Sequence, residues 1–484
     1  MTRTRKLTVA VLCAAALAAS APTSALALGG PGGPVGPGGP GHQPRVLTNV
    51  FARAGYKNKD VNDKLEATWQ QLFHGDPGTA PTHGDGQSIY YQMTPDMAYV
   101  EDIGNQDVRS EGMGYAMMIA VQLGHKQEFD SLWNFAQTNM QIKSGGEKYY
   151  FAWHTNTSGK VLATGVAPDG DQWIAAALAE AAGRWGNGEG TYDYGSQAEL
   201  ILHAMWHASD SGGVNIFDAA SSLPTFSPPG AVTYSDPSYA LPAFYKVFAK
   251  ADPTDNVQWE KAYVAGEQLL QKAADPTTGL APCYANFDGT PHFGRGETVN
   301  DNAYGHNFQE DAWRAIANAN VDASWEGVKP WQTQYSNTLE GFFEGQGVTT
   351  YVSRYHLDGT PLTVGQNTYE PAHAQGLVAM NSTAAISATD SDSRAFVQDL
   401  WNTAVPSGQA RYYDGMLYLL GLLYDSGQFR DWTYSVSQEG PSGPPAPPAP
   451  PAHPVPPAPP AHPGPPAPPA PPAPPVPPAP PAHD

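Results

Sequence analysis

The sequence predicts an all-α fold in which six helical hairpins close into an (α/α)6 barrel. Three observations predict it. Apolar residues recur at helical spacing through most of residues 44–437. They mark about twelve segments, an even number that pairs into hairpins. Acidic and aromatic residues gather at the start of every second segment.

The candidate helices span 61–73, 110–123, 128–140, 171–184, 194–208, 239–250, 257–274, 309–319, 330–343, 372–386, 394–402 and 412–425. The clearest pair sets Met113, Met117 and Val121 against Phe129, Leu132, Trp133, Ala136 and Met140 across the short turn GHKQ. That spacing is an αα-hairpin. Strand-like runs are few, chiefly 148–153 and 348–355. The alternate helices open with RSEG (Glu111), APDGDQW (Asp169), SDPSY (Asp236, Tyr239), QEDAWR (Asp311), PAHAQG (His373) and RYYDG (Tyr412, Tyr413, Asp414). If these helices form an inner ring running one way, their first turns converge on one face. Helix capping explains an Asp or Ser there, but not the aromatics beside it.

The flanks carry no core. Residues 1–27 read as a secretory signal peptide: basic Arg3, Arg5 and Lys6, an apolar stretch too short to span a bilayer, and the cleavage site Ala25-Leu26-Ala27. Residues 28–43 are a Gly/Pro-rich leader, and 438–484 a Pro/Ala-rich disordered tail that favours the polyproline helix. The expectation is a secreted protein whose catalytic domain is 44–437. The formal charge is −21, and −24 once the three basic residues of the signal are removed. So acidic a chain lacks the basic footprint of a nucleic-acid binder. No later segment is long and apolar enough for a membrane span. Cys13 leaves with the signal, so Cys283 stays unpaired and reads as a small buried hydrophobe rather than a nucleophile. A monomer is expected, and the tail's partner is unspecified.

Acids and aromatics converging in a cleft suit a carbohydrate, whose ring faces stack on Trp and Tyr while its hydroxyls take hydrogen bonds. Hydrolysis of a glycosidic bond needs one protonated and one ionised carboxyl. Glu111 and Asp311 form the natural pair. Glycine costs about 0.8–1 kcal/mol against alanine in a helix, yet Gly112 and Gly114 flank this acid in the first turn. Lacking a side chain, they let a sugar or a neighbouring helix come close. One tension stands out: a helix N-terminus favours carboxylate, whereas a general acid needs its proton. Burial and nearby acids have to outweigh the dipole. His203 and His207 sit one turn apart as zinc ligands do, but Ala204 stands where a zinc protease has its Glu, so they read as ordinary helix histidines. No P-loop, G-x-G-x-x-G or G-x-S-x-G is present.

The blocks DVRSEGMGYAMMIAVQLG, YYFAWHTN, APDGDQWIAAAL, RWGNG, DPSYALPAFY, YANFDGTP, EDAWR and RYYDGMLYLLGLLYDSG, in this order over residues 52–427, resemble glycoside hydrolase family 8. The resemblance implies an inverting enzyme on an (α/α)6 barrel, needing no cofactor and no metal. It implies Glu111 as general acid and Asp311 as general base. Asp169 would hold the distorted sugar, Arg314 would orient the base, and Tyr239 would touch the same sugar. Trp153 resembles a stacking platform, and Tyr412 joins the substrate-binding set. Glu310 stands where many members have a Tyr before the base. The blocks look most like xylan-acting members, especially those that release xylose from the reducing end of oligoxylans, with a loop in 351–371 as the candidate end wall. The alternatives are a β-1,4-glucanase or chitosanase of the same family, and, more remotely, a non-catalytic sugar-binding protein or a wall-associated structural protein.

Overall fold

The computed structural model describes residues 47–75, 87–362, 372–391 and 393–435. The expected signal peptide, leader and tail lie outside the described residues, as does 363–371 of the expected end wall. Among the described residues are helices α1 (Val50–Ala54), α2 (Asn58–Trp69), α3 (Ser110–Leu123), α4 (Lys126–Phe135), α5 (Pro168–Trp185), α6 (Tyr194–His207), α7 (Pro242–Ala251), α8 (Asn256–Ala273), α9 (Arg314–Glu326), α10 (Pro330–Gln346), α11 (Gln375–Ser382), α12 (Ser393–Asn402) and α13 (Tyr413–Asp425). None is long and apolar enough to cross a membrane.

The helices divide into two kinds. α5 buries every residue from Pro168 to Ala181, α9 from Arg314 to Ala323 and α13 from Asp414 to Asp425. A helix apolar on all sides belongs inside. By contrast, α2 buries only Val61, Leu65, Thr68 and Trp69, and α8 a single stripe from Trp259 to Ala273. The contacts follow the same division. α3 packs on α5, α5 on α7, α7 on α9, α9 on α11, α11 on α13, and α13 returns to α3. Each step but the last skips one helix, and the last skips α1 and α2; the skipped helices pack outside, α4 on α3, α6 on α5, α8 on α7, α10 on α9, α12 on α11, α2 on α13 and α1 on α12. Alternate helices thus form a closed circuit of contacts, jacketed by the others.

Two strand expectations fail. Residues 148–153 and 348–355 form no strand; each carries one end of an isolated bridge, Gln141 to Phe151 and Phe308 to Tyr355. Their aromatic and β-branched residues have strand propensity but no partner of matching length. The strands lie elsewhere and are short: the hairpin β1 (Tyr90–Thr94) and β2 (Met97–Val100), and the three-stranded antiparallel sheet β3 (Asp107–Arg109), β4 (His154–Asn156) and β5 (Val161–Ala163). β3 runs straight into α3, and the Ser110 N–H donates to the Trp153 carbonyl (3.0 Å). The small sheet therefore fixes Trp153 beside the first turn of α3.

Candidate active site

The first turns of α3, α5, α9 and α13 meet at one place. Glu111 is the second residue of α3, Asp169 the second of α5, Arg314 the first of α9, and Tyr412 immediately precedes α13. Asp311 lies in the 3-10 turn Glu310–Trp313 that enters α9, and Tyr239 ends the 3-10 turn Pro237–Tyr239 before α7.

Arg314 is the hub. Its side chain is only 5 % exposed, and its Nη1 donates to Glu111 Oε1 (2.7 Å) and Asp169 Oδ2 (3.1 Å). Nη2 donates to Asp311 Oδ1 (3.0 Å), and Nε to the Asp311 carbonyl (3.2 Å). The planar fork of five donors permits this; a lysine's point charge does not reproduce it. One guanidinium thus serves three carboxyls. With all three ionised the cluster is net negative and desolvated, so retention of a proton is favoured. Burial pushes Glu111 up to about 8 against the pull of Arg314, with Asp169 and Asp311 adding to the rise. Asp169 is raised for the same reasons, burial first. The tension between helix dipole and general acid is thereby answered.

The two glycines have a structural answer too. A Cβ on Gly112 would lie 2.4 Å from the Tyr412 ring, and one on Gly114 would lie 2.6 Å from Trp173 Cβ on α5. It is neighbouring protein that comes close at both positions. Tyr412 uses the space to set its hydroxyl 3.5 Å from Glu111 Oε2.

Two cavities of about 400 Å³ each meet at the acids, both lined by Arg109, Glu111 and Asp311. One is walled by Trp153, Asp169, Phe226 and Tyr239. The other is walled by Asp102, Tyr304, Glu310, Arg354, Tyr412 and Asp414. Of the residues singled out by sequence, Glu111, Asp311, Asp169, Tyr239, Trp153 and Tyr412 all face a cavity, with Arg314 between the acids. His373 does not: its ring bonds the Tyr351 carbonyl (2.9 Å) and Asp399 (3.2 Å). Asp236 is fully buried and accepts from the Ser238 N–H (2.7 Å). Cys283 is buried, its thiol pushed up chiefly by burial.

Sequence reasoning missed several neighbours. Tyr115 donates to Glu111 Oε1 (3.3 Å) and accepts from Arg314. Its position one turn after Glu111 was the available signal. The Asp311 backbone N–H donates to the Tyr304 hydroxyl (3.3 Å), so a tyrosine reaches this residue although the residue before it is Glu310. Glu310 itself pairs with Arg354. Arg109 pairs with Asp102 (3.2 Å) and Asp107 (3.1 Å) and lies 5.7 Å from the Trp153 ring centroid.

Comparison with known proteins finds relatives over most of the chain. The Rex8A reducing-end xylose-releasing exo-oligoxylanase of Paenibacillus barcinonensis is 42 % identical over 385 residues, covering 79 % of this chain and 96 % of that protein. Its structure in complex with xylose superposes with a TM-score of 0.72, covering 80 % of this chain and 97 % of that one. A reducing end xylose-releasing exo-oligoxylanase of Halalkalibacterium halodurans is 38 % identical over 392 residues, covering 80 % of this chain and 95 % of the relative. Endoglucanase C of Ruminiclostridium cellulolyticum is 27 % identical over 344 residues, 70 % of this chain and 67 % of that protein. The family model for glycosyl hydrolases family 8 matches residues 98–427. With the four converging helix starts and the shared arginine inside that match, the chain belongs to glycoside hydrolase family 8.

Proposed function

We propose that this enzyme hydrolyses β-1,4 bonds of xylo-oligosaccharides with inversion and releases xylose from the reducing end. The observation that carries the chemistry is the grip of Arg314 on three carboxyls, with Glu111 pushed up to about 8. Glu111 then holds a proton at neutral pH and gives it to the leaving glycosidic oxygen. Asp311, the most exposed of the three at 25 %, takes a proton from water that attacks the anomeric carbon from the other face. The terminal nitrogens of a guanidinium are about 2.3 Å apart, so the bound oxygens of Glu111 and Asp311 lie within about 8 Å. That bound is compatible with the separation of about 6.5–9.5 Å that leaves room for water.

The cavity with Trp153, Tyr239 and Asp169 takes the sugar at the point of cleavage and those beyond it; the cavity with Tyr412 and Arg354 takes the leaving xylose. The choice of xylan over glucan rests on the 42 % and 38 % identities to oligoxylanases against 27 % to an endoglucanase. The closed circuit of alternate helices supports an (α/α)6 barrel. The basic n-region and the Ala25-Leu26-Ala27 site support export.

Xylotetraose labelled with ¹³C at its reducing-end anomeric carbon tests this reading by NMR. The expected early products are labelled xylose and unlabelled xylotriose, the triose appearing first as its α anomer. Labelled xylobiose would mean endo cleavage. Unlabelled xylose would mean attack from the opposite end, and a β anomer first would exclude inversion. No cleavage, with turnover of cello- or chito-oligosaccharides, would overturn the xylan assignment.

A further inference from the structure

His203 and His207, one turn apart on α6, face a carboxylate from a different part of the chain. Asp255 closes the 3-10 turn Pro253–Asp255 that leads into α8. Its Oδ2 lies 2.8 Å from His203 Nδ1 and its Oδ1 lies 2.9 Å from His207 Nε2. One ligand atom from each residue falls within 4.8 Å of the others, the one such His/Cys/Asp/Glu grouping among the described residues. We propose that His203, His207 and Asp255 form a binding site for a divalent transition-metal cation, best suited to zinc, that clamps outer helix α6 to the start of α8.

The surroundings are those of ligands held in place. His207 points Nε2 at Asp255 and turns Nδ1 to Asp210 Oδ2 (3.2 Å). That is the carboxylate–histidine–metal relay, which fixes the tautomer and leaves the other nitrogen's lone pair for the metal. Gln258 Nε2 donates to Asp255 Oδ1 (3.0 Å) and orients that carboxylate. The two rings stack with centroids 4.2 Å apart.

Charge argues the same way. Asp255 is 2 % exposed, and no lysine or arginine pairs with it among the described residues. A second acid, Asp252, is buried close behind it. Asp210 adds a third acid. His207 lies between two of these acids, Asp255 and Asp210. A metal at Nε2 supplies the missing positive charge. Tetrahedral ligands about 2.0 Å from zinc stand about 3.3 Å apart, a spacing that falls inside the 4.8 Å bound on the three ligand atoms. The His203 and His207 side chains are 48 % and 33 % exposed, which gives the cation a path from solvent and leaves a position for water.

The test uses the full chain without a histidine tag, stripped with chelator. Titration with zinc chloride at pH 7.5 should show one tight site per chain. At a hundredfold excess over the dissociation constant, the melting temperature should rise by about 3 °C. His203→Gln and His207→Gln should each weaken binding at least tenfold and abolish the shift. Should a variant fail to fold, cobalt chloride added to the unaltered protein should give hyperfine-shifted ring protons from two histidines. Absence of zinc binding, binding unchanged in both folded variants, or cobalt spectra without two histidines would each overturn the assignment.

Discussion

Replacing Gly112 by alanine should make this enzyme a much poorer catalyst while changing its stability little. The substitution gains about 0.8–1 kcal/mol of helix propensity. Against that, the new Cβ would lie 2.4 Å from Tyr412 Cε2 and 2.5 Å from its hydroxyl oxygen. Relief requires the ring to move by about 1 Å to reach ordinary contact, and overpacking of this kind costs about 1–3 kcal/mol. The net loss is then about 0–2 kcal/mol. For a domain of this size, with an unfolding entropy of about 0.8 kcal/mol per degree, that is a fall in melting temperature of about 0–2.5 °C. Activity is more exposed to the change. Tyr412 is buried and its hydroxyl is 3.5 Å from Glu111 Oε2, so a displaced ring either disturbs the acid or fills the adjoining cavity. A misplacement of about 1 Å can cost about 100-fold in rate. Xylotriose kinetics with parallel thermal melts would measure both. Gly114→Ala is the control: its Cβ meets Trp173 Cβ at 2.6 Å and the Ile174 backbone at 3.2 Å, so it should lose more stability without touching Tyr412. A Gly112→Ala protein with unchanged kcat/KM and a higher melting temperature would refute the close-approach explanation.

Five further outcomes are expected. Glu111→Gln keeps the shape of the acid but not its proton, and should lower kcat about 10²–10⁴-fold with xylotriose binding retained by calorimetry. Because the acid must be protonated, kcat/KM should halve near pH 8 and fall about tenfold per further pH unit, whereas an alkaline limb that already begins near pH 5 would mean Glu111 is not the acid. Stability should follow the same sign. Glu111 and Asp322 at about 8, and Asp414 and Asp425 at about 7, all bind protons more tightly folded than unfolded, so their contribution is full below about pH 4 and is lost as pH rises through 7–8; melting at pH 5.5 should exceed that at pH 8.5. Arg314→Lys keeps one charge but not the fork, and should fold yet lose about 100-fold in kcat; unchanged activity would refute the hub. Deleting residues 440–484 should leave kcat/KM on soluble xylotriose unchanged, and a large loss would mean the tail helps form the site.

What the sequence showed was what is local. Helix starts are marked by capping residues and the onset of helical periodicity, so RSEG, APDGDQW and QEDAWR could each be placed at a first turn. Alternation then brought Glu111, Asp169, Asp311 and Tyr412 to one face, and the structure has them there. His373 obeyed the same rule and still points elsewhere, because Asp399 on α12 offers it a partner. Strands of three residues, such as Asp107–Arg109, are too short to display an alternation of period two, whereas 148–153 displays strand residues without a partner. Contacts between distant positions were invisible: Arg354 reaching back to Glu310, and Asp255 closing on a histidine pair about fifty residues earlier.

The same reasoning explains why an acid is placed at a helix start at all. The N-terminal dipole of α3 and the Arg314 guanidinium both favour a charged Glu111. Burial and two further carboxylates oppose them and prevail. A proton held by such opposed forces is retained at rest and released when the balance tips. In the proposed mechanism, the dipole and the guanidinium are already in position to receive the charge left behind when that proton passes to the leaving oxygen, with no reorganisation at the moment of transfer. A glutamate buried in apolar surroundings alone would hold its proton just as well, but would have nothing to stabilise it once the proton had gone. In this site the groups that oppose protonation are therefore the ones that support proton transfer, which is why Arg314→Lys should lower kcat more than it raises KM.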